Sequence, residues 1–161
     1  MKIRQLLYIS SQSKKLNIND VRQIVRKSQK RNKQHNVTGL LLYYEGCFCQ
    51  VIEGYPKDIE VIFDYISNDH KHRSLITLQD DFVDQRAFKE WTMAFQNINH
   101  DELTQNDIEE IKAYISEKFN LNENANNFIP IMLHSFIYHH TSDLTLQKMF
   151  KFSSGLSSEA L

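Results

Sequence analysis

The sequence has no excess of charge of either sign: 19 Lys and Arg stand against 20 Asp and Glu, for a formal net charge of -1. A dedicated nucleic-acid binder normally carries a large basic surplus, so that class is set aside. No stretch approaches the run of about eighteen apolar residues that a membrane helix needs, and the opening MKIRQLLYIS lacks the apolar centre of a signal peptide. A cytoplasmic protein without a membrane partner is expected. The two cysteines, Cys47 and Cys49, are too few and too close for a disulfide framework and read as reduced strand residues. His70 and His72, like His139 and His140, lack further ligands at metal spacing, so no metal is expected. With four glycines and two prolines a collagen-like repeat is excluded. A Gly-rich phosphate loop, a nucleophile elbow and paired catalytic acids are all missing, which argues against an enzyme.

What remains is the composition of an ordinary globular chain, 41% hydrophobic and 24% charged over 161 residues, enough to bury a core. Two parts separate near Asn97 to Asp101. Residues 1–98 mix strand-like and helix-like periodicities, whereas in the extension 99–161 the stretch 101–150 reads as helix only, broken by a polar Asn-rich loop, NLNENANN. The first strand, Ile3 to Ser10, puts Leu6 and Tyr8 on one face and Leu7 and Ile9 on the other, so both faces need cover. Caps at Asn17 to Asp20 open a helix whose stripe is Val21, Ile24, Val25, Ser28 and Asn32. Strands Thr38 to Tyr44 and Cys47 to Gly54 meet through Glu45 and Gly46, a short hairpin turn. Pro56 opens a second helix with Ile59, Ile62, Phe63 and Ile66 inward. Two strands follow, Leu75 to Val83 and Glu90 to Phe95, the last presenting Trp91, Met93 and Phe95 on one side. The order βαββαββ predicts an α+β, ferredoxin-like sandwich: a five-stranded sheet with two helices on one face. Two further helices are expected to cap the second face, one bearing Ile108, Ile111, Ile115 and Phe119 after a Thr104–Asp107 cap, the other bearing Ile129, Met132, Leu133, Phe136 and Ile137. The closing FSSGLSSEAL reads as a frayed tail.

Against this regular pattern stand polar side chains on faces that should be buried: Tyr8, Ser28, Asn32 and Gln50. A buried amide or phenol without partners costs about 1–3 kcal/mol, so these groups need one another, ordered water or a ligand. A planar molecule rich in donors and acceptors, lying between the sheet and its helices, would satisfy them.

These residues, in order and spacing, resemble the BLUF family, the blue-light sensors that use FAD. The resemblance covers residues 2 to 97 and rests on LLYIS with Tyr8, SQKRN with Ser28 and Asn32, NVTGLLLYYEGCFCQVIEG with Gln50, DHKHR with Asp69 and His72, and WTM with Trp91 and Met93. It implies a non-covalently bound flavin, FAD, with FMN or riboflavin as alternatives. Asn32 would bond the polar edge of the ring, Gln50 would bridge ring and Tyr8, and Tyr8 would be the photochemical electron donor. Ser28, Arg31, Asp69, Lys71 and His72 would complete the cofactor contacts, the last four toward its polar tail. The implied photocycle takes an electron from Tyr8, moves a proton through Gln50 and leaves the amide bonded differently beside an oxidised, slightly red-shifted flavin. Trp91 and Met93 would relay that change to the last strand and the appended helices. Arg31 stands where the family often has Asn or His, Lys71 where Arg is common, and His35 and Asn36 where Asn-Gly is usual.

Each residue also has an ordinary explanation when taken alone. Tyr8 reads as a core tyrosine, Gln50 as a strand amide on a backbone edge, Ser28 as a small packing residue and Asn32 as a helix terminator. Trp91 and Met93 read as core. Lys27, Lys30, Arg31 and Lys33 make a basic cluster that a solvated helix end explains as well as nucleic acid does. Two other functions compete with the photosensor, a light-independent flavin-binding enzyme and an interaction module on the same fold. About sixty residues after the core are too short for an appended cyclase. Output is therefore expected through a separate downstream protein, and the resemblance implies a homo-oligomer.

Overall fold

In the computed structural model, residues 2–89, 93–97, 104–119 and 128–139 are described. Among them the chain forms β1 (Ile3–Gln12), α1 (Ile18–Gln34), β2 (Thr38–Tyr44), β3 (Cys47–Gly54), α2 (Pro56–Ser67), β4 (His72–Val83), β5 (Ala94–Asn97), α3 (Gln105–Phe119) and α4 (residues 128–139). The strands join in the order β4-β1-β3-β2-β5. Every pairing is antiparallel except β2 with β5, which is parallel. This is the mixed ferredoxin-like sheet the periodicities predicted.

The alternation along β1 sorts the interior into two cores. Leu6 and Tyr8 join Leu41, Phe48 and Ile52 beneath Val21, Ile24 and Val25 of α1 and Ile59, Ile62 and Ile66 of α2. On the opposite face Leu7, Leu40, Leu42, Cys49 and Val51 meet Ile108, Ile115 and Phe119 of α3 and Ile129, Leu133 and Ile137 of α4. With both faces covered, β3 is buried from Phe48 to Gly54, as a central strand between two layers must be. Cys47 and Cys49 are free thiols on this strand, and burial pushes Cys49 up to about 12.

Local chemistry sets the element ends. Asn17 and Asp20 form a reciprocal capping box on α1. At its other end Val37 N–H bonds the Asn32 carbonyl at 2.8 Å and Asn36 N–H the Lys33 carbonyl at 3.3 Å, with Asn36 left-handed at φ 50. That double closure leaves Asn32 in the last turn, facing the sheet. Glu45 and Gly46, at φ 40 and 90, make the two-residue hairpin whose twist suits paired strands. Thr104 and Asp107 cap α3 reciprocally, and Pro130 sits in the first turn of α4.

Four strand limits differ from the sequence expectation. β1 continues past Ser10 to Gln12, and β4 begins at His72 instead of Leu75, because Ser11 pairs with Arg73 and Gln12 with His72. Backbone pairing carries both strands beyond their apolar residues, and an edge strand tolerates polar side chains. The last strand runs from Ala94 to Asn97 instead of Glu90 to Phe95, with Met93 just before it; Trp91 and the rest of 90–92 lie outside the described residues, as do the part of the Asn97–Asp101 boundary after Asn97, the Asn-rich NLNENANN and the FSSGLSSEAL tail. Among the described residues no helix is long and apolar enough to cross a membrane.

Candidate functional site

Antiparallel pairing sets Tyr8 directly opposite Gln50 on the face beneath α1 and α2. Both are buried. The Tyr8 hydroxyl donates to Gln50 Oε1. At the other end of the amide, Nε2 donates to Met93 Sδ at 3.1 Å. The Met93 carbonyl in turn accepts from Gln29 Nε2 at 3.0 Å, which ties the residue before β5 to α1. A continuous polar chain, Tyr8–Gln50–Met93–Gln29, therefore runs from sheet to helix through an otherwise apolar layer. Phe63 of α2 meets the Tyr8 ring edge-on, 5.9 Å between centroids.

Burial, reinforced by Cys49 and Asp69, drives the Tyr8 phenol far above its ordinary range. Burial thus favours the protonated phenol of Tyr8 over its phenolate. Gln50 is the adaptable partner, since its amide has an acceptor at one end and donors at the other. A thioether is a weak acceptor, so the buried Gln50 N–H group is held below its bonding capacity.

The next pair along the same face is Ser10 opposite Phe48. His72 closes on both: its Nδ1 is 3.0 Å from Ser10 Oγ, and its ring lies 4.7 Å from that of Phe48. Burial lowers the His72 pKa, with Asp69 opposing and Lys71 adding to the shift. Asp69 turns the chain after α2, its carboxylate accepting from Lys71 N–H at 3.0 Å. Asn32 is buried on the inward stripe of α1, and Ser28 is half-buried on the same stripe. Arg31 leaves that stripe, its guanidinium lying 4.6 Å over the Tyr65 ring of α2. Tyr8, Gln50 and Met93 are thus brought into one bonded chain, and His72 joins the same face. Asn32 and Ser28 approach from the helix above, whereas Arg31 packs on α2.

Sequence reasoning missed Gln29 and Ser10. Ser10 was open to discovery, because it shares the parity of Leu6 and Tyr8 and so must face the same core. Gln29 was open as well, since Val21, Ile24, Val25, Ser28 and Gln29 follow the helical pattern i, i+3, i+4, i+7, i+8, and it is half-buried like Ser28.

The residues fit a flavin. Buried amides and hydroxyls line one layer of an apolar sandwich, and among the described residues the Gln50 N–H group meets sulfur where a ring carbonyl or nitrogen would bond it better. Among the described residues no group of three or more His, Cys, Asp or Glu could hold a metal ion.

Comparisons with known proteins bear on the family and the fold. The family described as sensors of blue light using FAD, BLUF, matches residues 3–94. Photoactivated adenylate cyclase subunit alpha of Euglena gracilis is 34% identical over 100 residues, 61% of this chain and 10% of that subunit. The chain thus spans only a small part of the curated relatives it matches. Among solved structures, the dark state of BlrB, a BLUF protein, aligns with a TM-score of 0.62 at 26% identity, covering 84% of this chain and 95% of BlrB. Klebsiella pneumoniae BlrP1, solved with FMN and cyclic diGMP, aligns with a TM-score of 0.60 at 27% identity, covering 70% of this chain and 30% of BlrP1.

Proposed function

The chain belongs to the BLUF family, and on that premise we propose that its flavin is FAD, that Tyr8 and Gln50 form the photoactive pair, and that Met93 carries the change toward the helices beyond the sheet. The chain is a flavin-binding photosensory domain. The observation that carries the finer assignment is the buried chain of hydrogen bonds through Tyr8, Gln50 and Met93.

Asn32 and Ser28, reaching in from α1, would hold the ring, while His72, with Asp69 and Lys71 beside it and Arg31 in the last turn of α1, would hold the polar tail. Bound oxidised flavin supplies blue-light absorption and, once excited, a one-electron acceptor. Tyr8 is the donor within reach of Gln50, and its phenolic proton, fixed by burial until the electron leaves, has the Gln50 oxygen as its acceptor. When electron and proton return to Tyr8, the Gln50 amide is left with its two ends exchanged. An oxygen then faces Met93 where an N–H stood, so the bond to sulfur is lost. Met93 is thereby released from Gln50 while its carbonyl stays on Gln29. That difference biases β5 and, through it, α3 and α4.

Residues 1–98 form the sensory unit in this reading, and 99–161 the extension that signals. The output acts on a separate protein or on assembly of the chain with copies of itself, and the site of action is cytoplasmic. The test is an absorption spectrum of the purified protein in darkness, under blue light and through recovery, with Gln50→Leu alongside. A flavin spectrum that shifts reversibly to the red in the wild type and not in the variant supports the assignment; a shift that survives Gln50→Leu removes Gln50 from the mechanism. Chromatography of the flavin released on denaturation distinguishes FAD from FMN and riboflavin.

A further inference from the structure

On the face of the sheet away from Gln50 lies a carboxylate that the photochemistry does not use. Glu53 of β3 has no exposure to solvent. Its Oε1 accepts from the Ala87 N–H and its Oε2 from the Phe88 N–H, each at 3.0 Å. Gln5 Nε2, directly across on β1, donates to the same Oε1 at 2.5 Å and leaves its own oxygen buried without a partner among the described residues. Arg86 fixes the same stretch from the other side, donating to the Glu53 carbonyl at 2.7 Å, to Thr38 Oγ1 at 2.9 Å and to the Asn36 carbonyl at 2.6 Å.

Burying a carboxylate is costly, and desolvation raises its pKa here against the opposing pull of its hydrogen bonds and Arg86. What the carboxylate provides is two acceptor oxygens side by side, matched to two consecutive backbone N–H groups. An amide offers one acceptor, so Gln in the same place would set a donor against one of them. The segment so held is the connection between β4 and β5. Phe88 is fully buried in the second core, 5.5 Å from the Phe119 ring of α3 and 6.5 Å from Tyr114. Met93, further along the same stretch of chain, is in the first core on the Gln50 amide. One short piece of chain therefore joins the layer of the light-sensitive pair to the layer of α3, and Glu53 pins its near end.

We propose that Glu53 is a positioning residue for the light signal: by fixing Ala87 and Phe88, it directs the displacement of Met93 forward into β5 and α3 instead of letting the β4–β5 connection absorb it. This rests on the photosensor reading above. Glu53 touches neither Tyr8 nor Gln50 and lies on the opposite face from both, so the colour change and its transmission are separable.

The experiment is hydrogen–deuterium exchange of the flavin-loaded protein in darkness and under steady blue light, with absorption spectra on the same samples, for wild type, Glu53→Gln and Arg86→Gln. Wild type should show the reversible red shift together with a light-minus-dark difference over α3. Glu53→Gln should keep the red shift, lose more than half of the α3 difference and gain a light-dependent difference over residues 84–89. Arg86→Gln weakens the same anchor from its other side and should change in the same direction, which covers the case in which Glu53→Gln does not fold. A merely structural Glu53 would lower protection near 86–88 equally in both states and leave the α3 difference intact, which would overturn the proposal. So would a red shift in wild type without any α3 difference. Loss of the red shift in wild type itself would instead overturn the photosensor reading.

Discussion

Replacing Tyr8 by Phe removes one oxygen and leaves the ring, so it separates what the hydroxyl does for chemistry from what the side chain does for packing. The ring is fully buried and keeps its edge contact with Phe63. What changes is Gln50 Oε1, which loses its donor while remaining in a side chain only 5% exposed. Leaving one buried acceptor unmet costs about 1–3 kcal/mol. At about 2–4 °C per kcal/mol for a chain of this size, Tm should fall by roughly 2–12 °C. The photochemical effect should be of another order, because Phe has neither a phenolic proton nor a ready electron, and the red shift should vanish. Tyr43→Phe is the matched control. Tyr43 is buried on the same face and packs 4.9 Å from Phe48, but its hydroxyl goes to Gln12 at 3.3 Å and not to Gln50. It should retain the full shift. Dark and illuminated spectra with thermal melts of both variants make the comparison; a wild-type shift in Tyr8→Phe, or its loss in Tyr43→Phe, would refute the assignment of the donor.

Two other outcomes follow from the sheet and its rim. At Gly39 an added Cβ would collide with the Val51 carbonyl of the paired strand, so Gly39→Ala should lower the urea midpoint at unchanged slope, by about 1–3 kcal/mol of overpacking. His72 titrates below its ordinary 6.5 because burial disfavours the charged ring. The stability held by the neutral ring is complete above pH 6.5 and is lost as pH falls from there through the folded pKa. Melting His72→Gln and wild type across that window should show a flatter profile in the variant; parallel profiles would mean that His72 carries no such linkage.

Much of this was legible in the sequence because it depends on parity and spacing. Alternation in β1 assigned Tyr8 to a buried face, and the same period in β3 put Gln50 there between Phe48 and Ile52. The capping pairs Asn17–Asp20 and Thr104–Asp107 marked helix starts, since their side chains bond the backbone locally. The contacts that connect these parts were not legible. Gln29 meets Met93 only because α1 lies across the sheet beside the entry to β5, and Arg86 finds the Asn36 carbonyl only because the chain has come back to the end of α1. Strand limits failed for a related reason: where β1 and β4 stop is decided by which backbone groups find partners, and hydropathy does not carry that information. Glu53 read as one more residue of a family-like stretch, since burial of a carboxylate is recognisable only when the N–H groups it serves are in place.

Gln50 and Glu53 belong to the same strand, and a strand's side chains alternate. The positions are of opposite parity, so one must face α1 and α2 and the other α3 and α4, whatever else the sequence does. β3 is also the middle strand of the sheet, bonded to β1 on one side and β2 on the other. It is therefore the element least able to move if the Gln50 amide reverses as proposed above. A side chain that changed its bonds on a backbone that cannot shift would pass the change to its bonded neighbours, and among the described residues Gln50 bonds Tyr8 and Met93. The same rigidity serves the other face, where Glu53 needs a fixed base to hold Ala87 and Phe88. A central, doubly buried strand would thus be the stationary part of the proposed device, and the change would start at β5 on the sheet edge, which among the described residues pairs only with β2, before reaching α3.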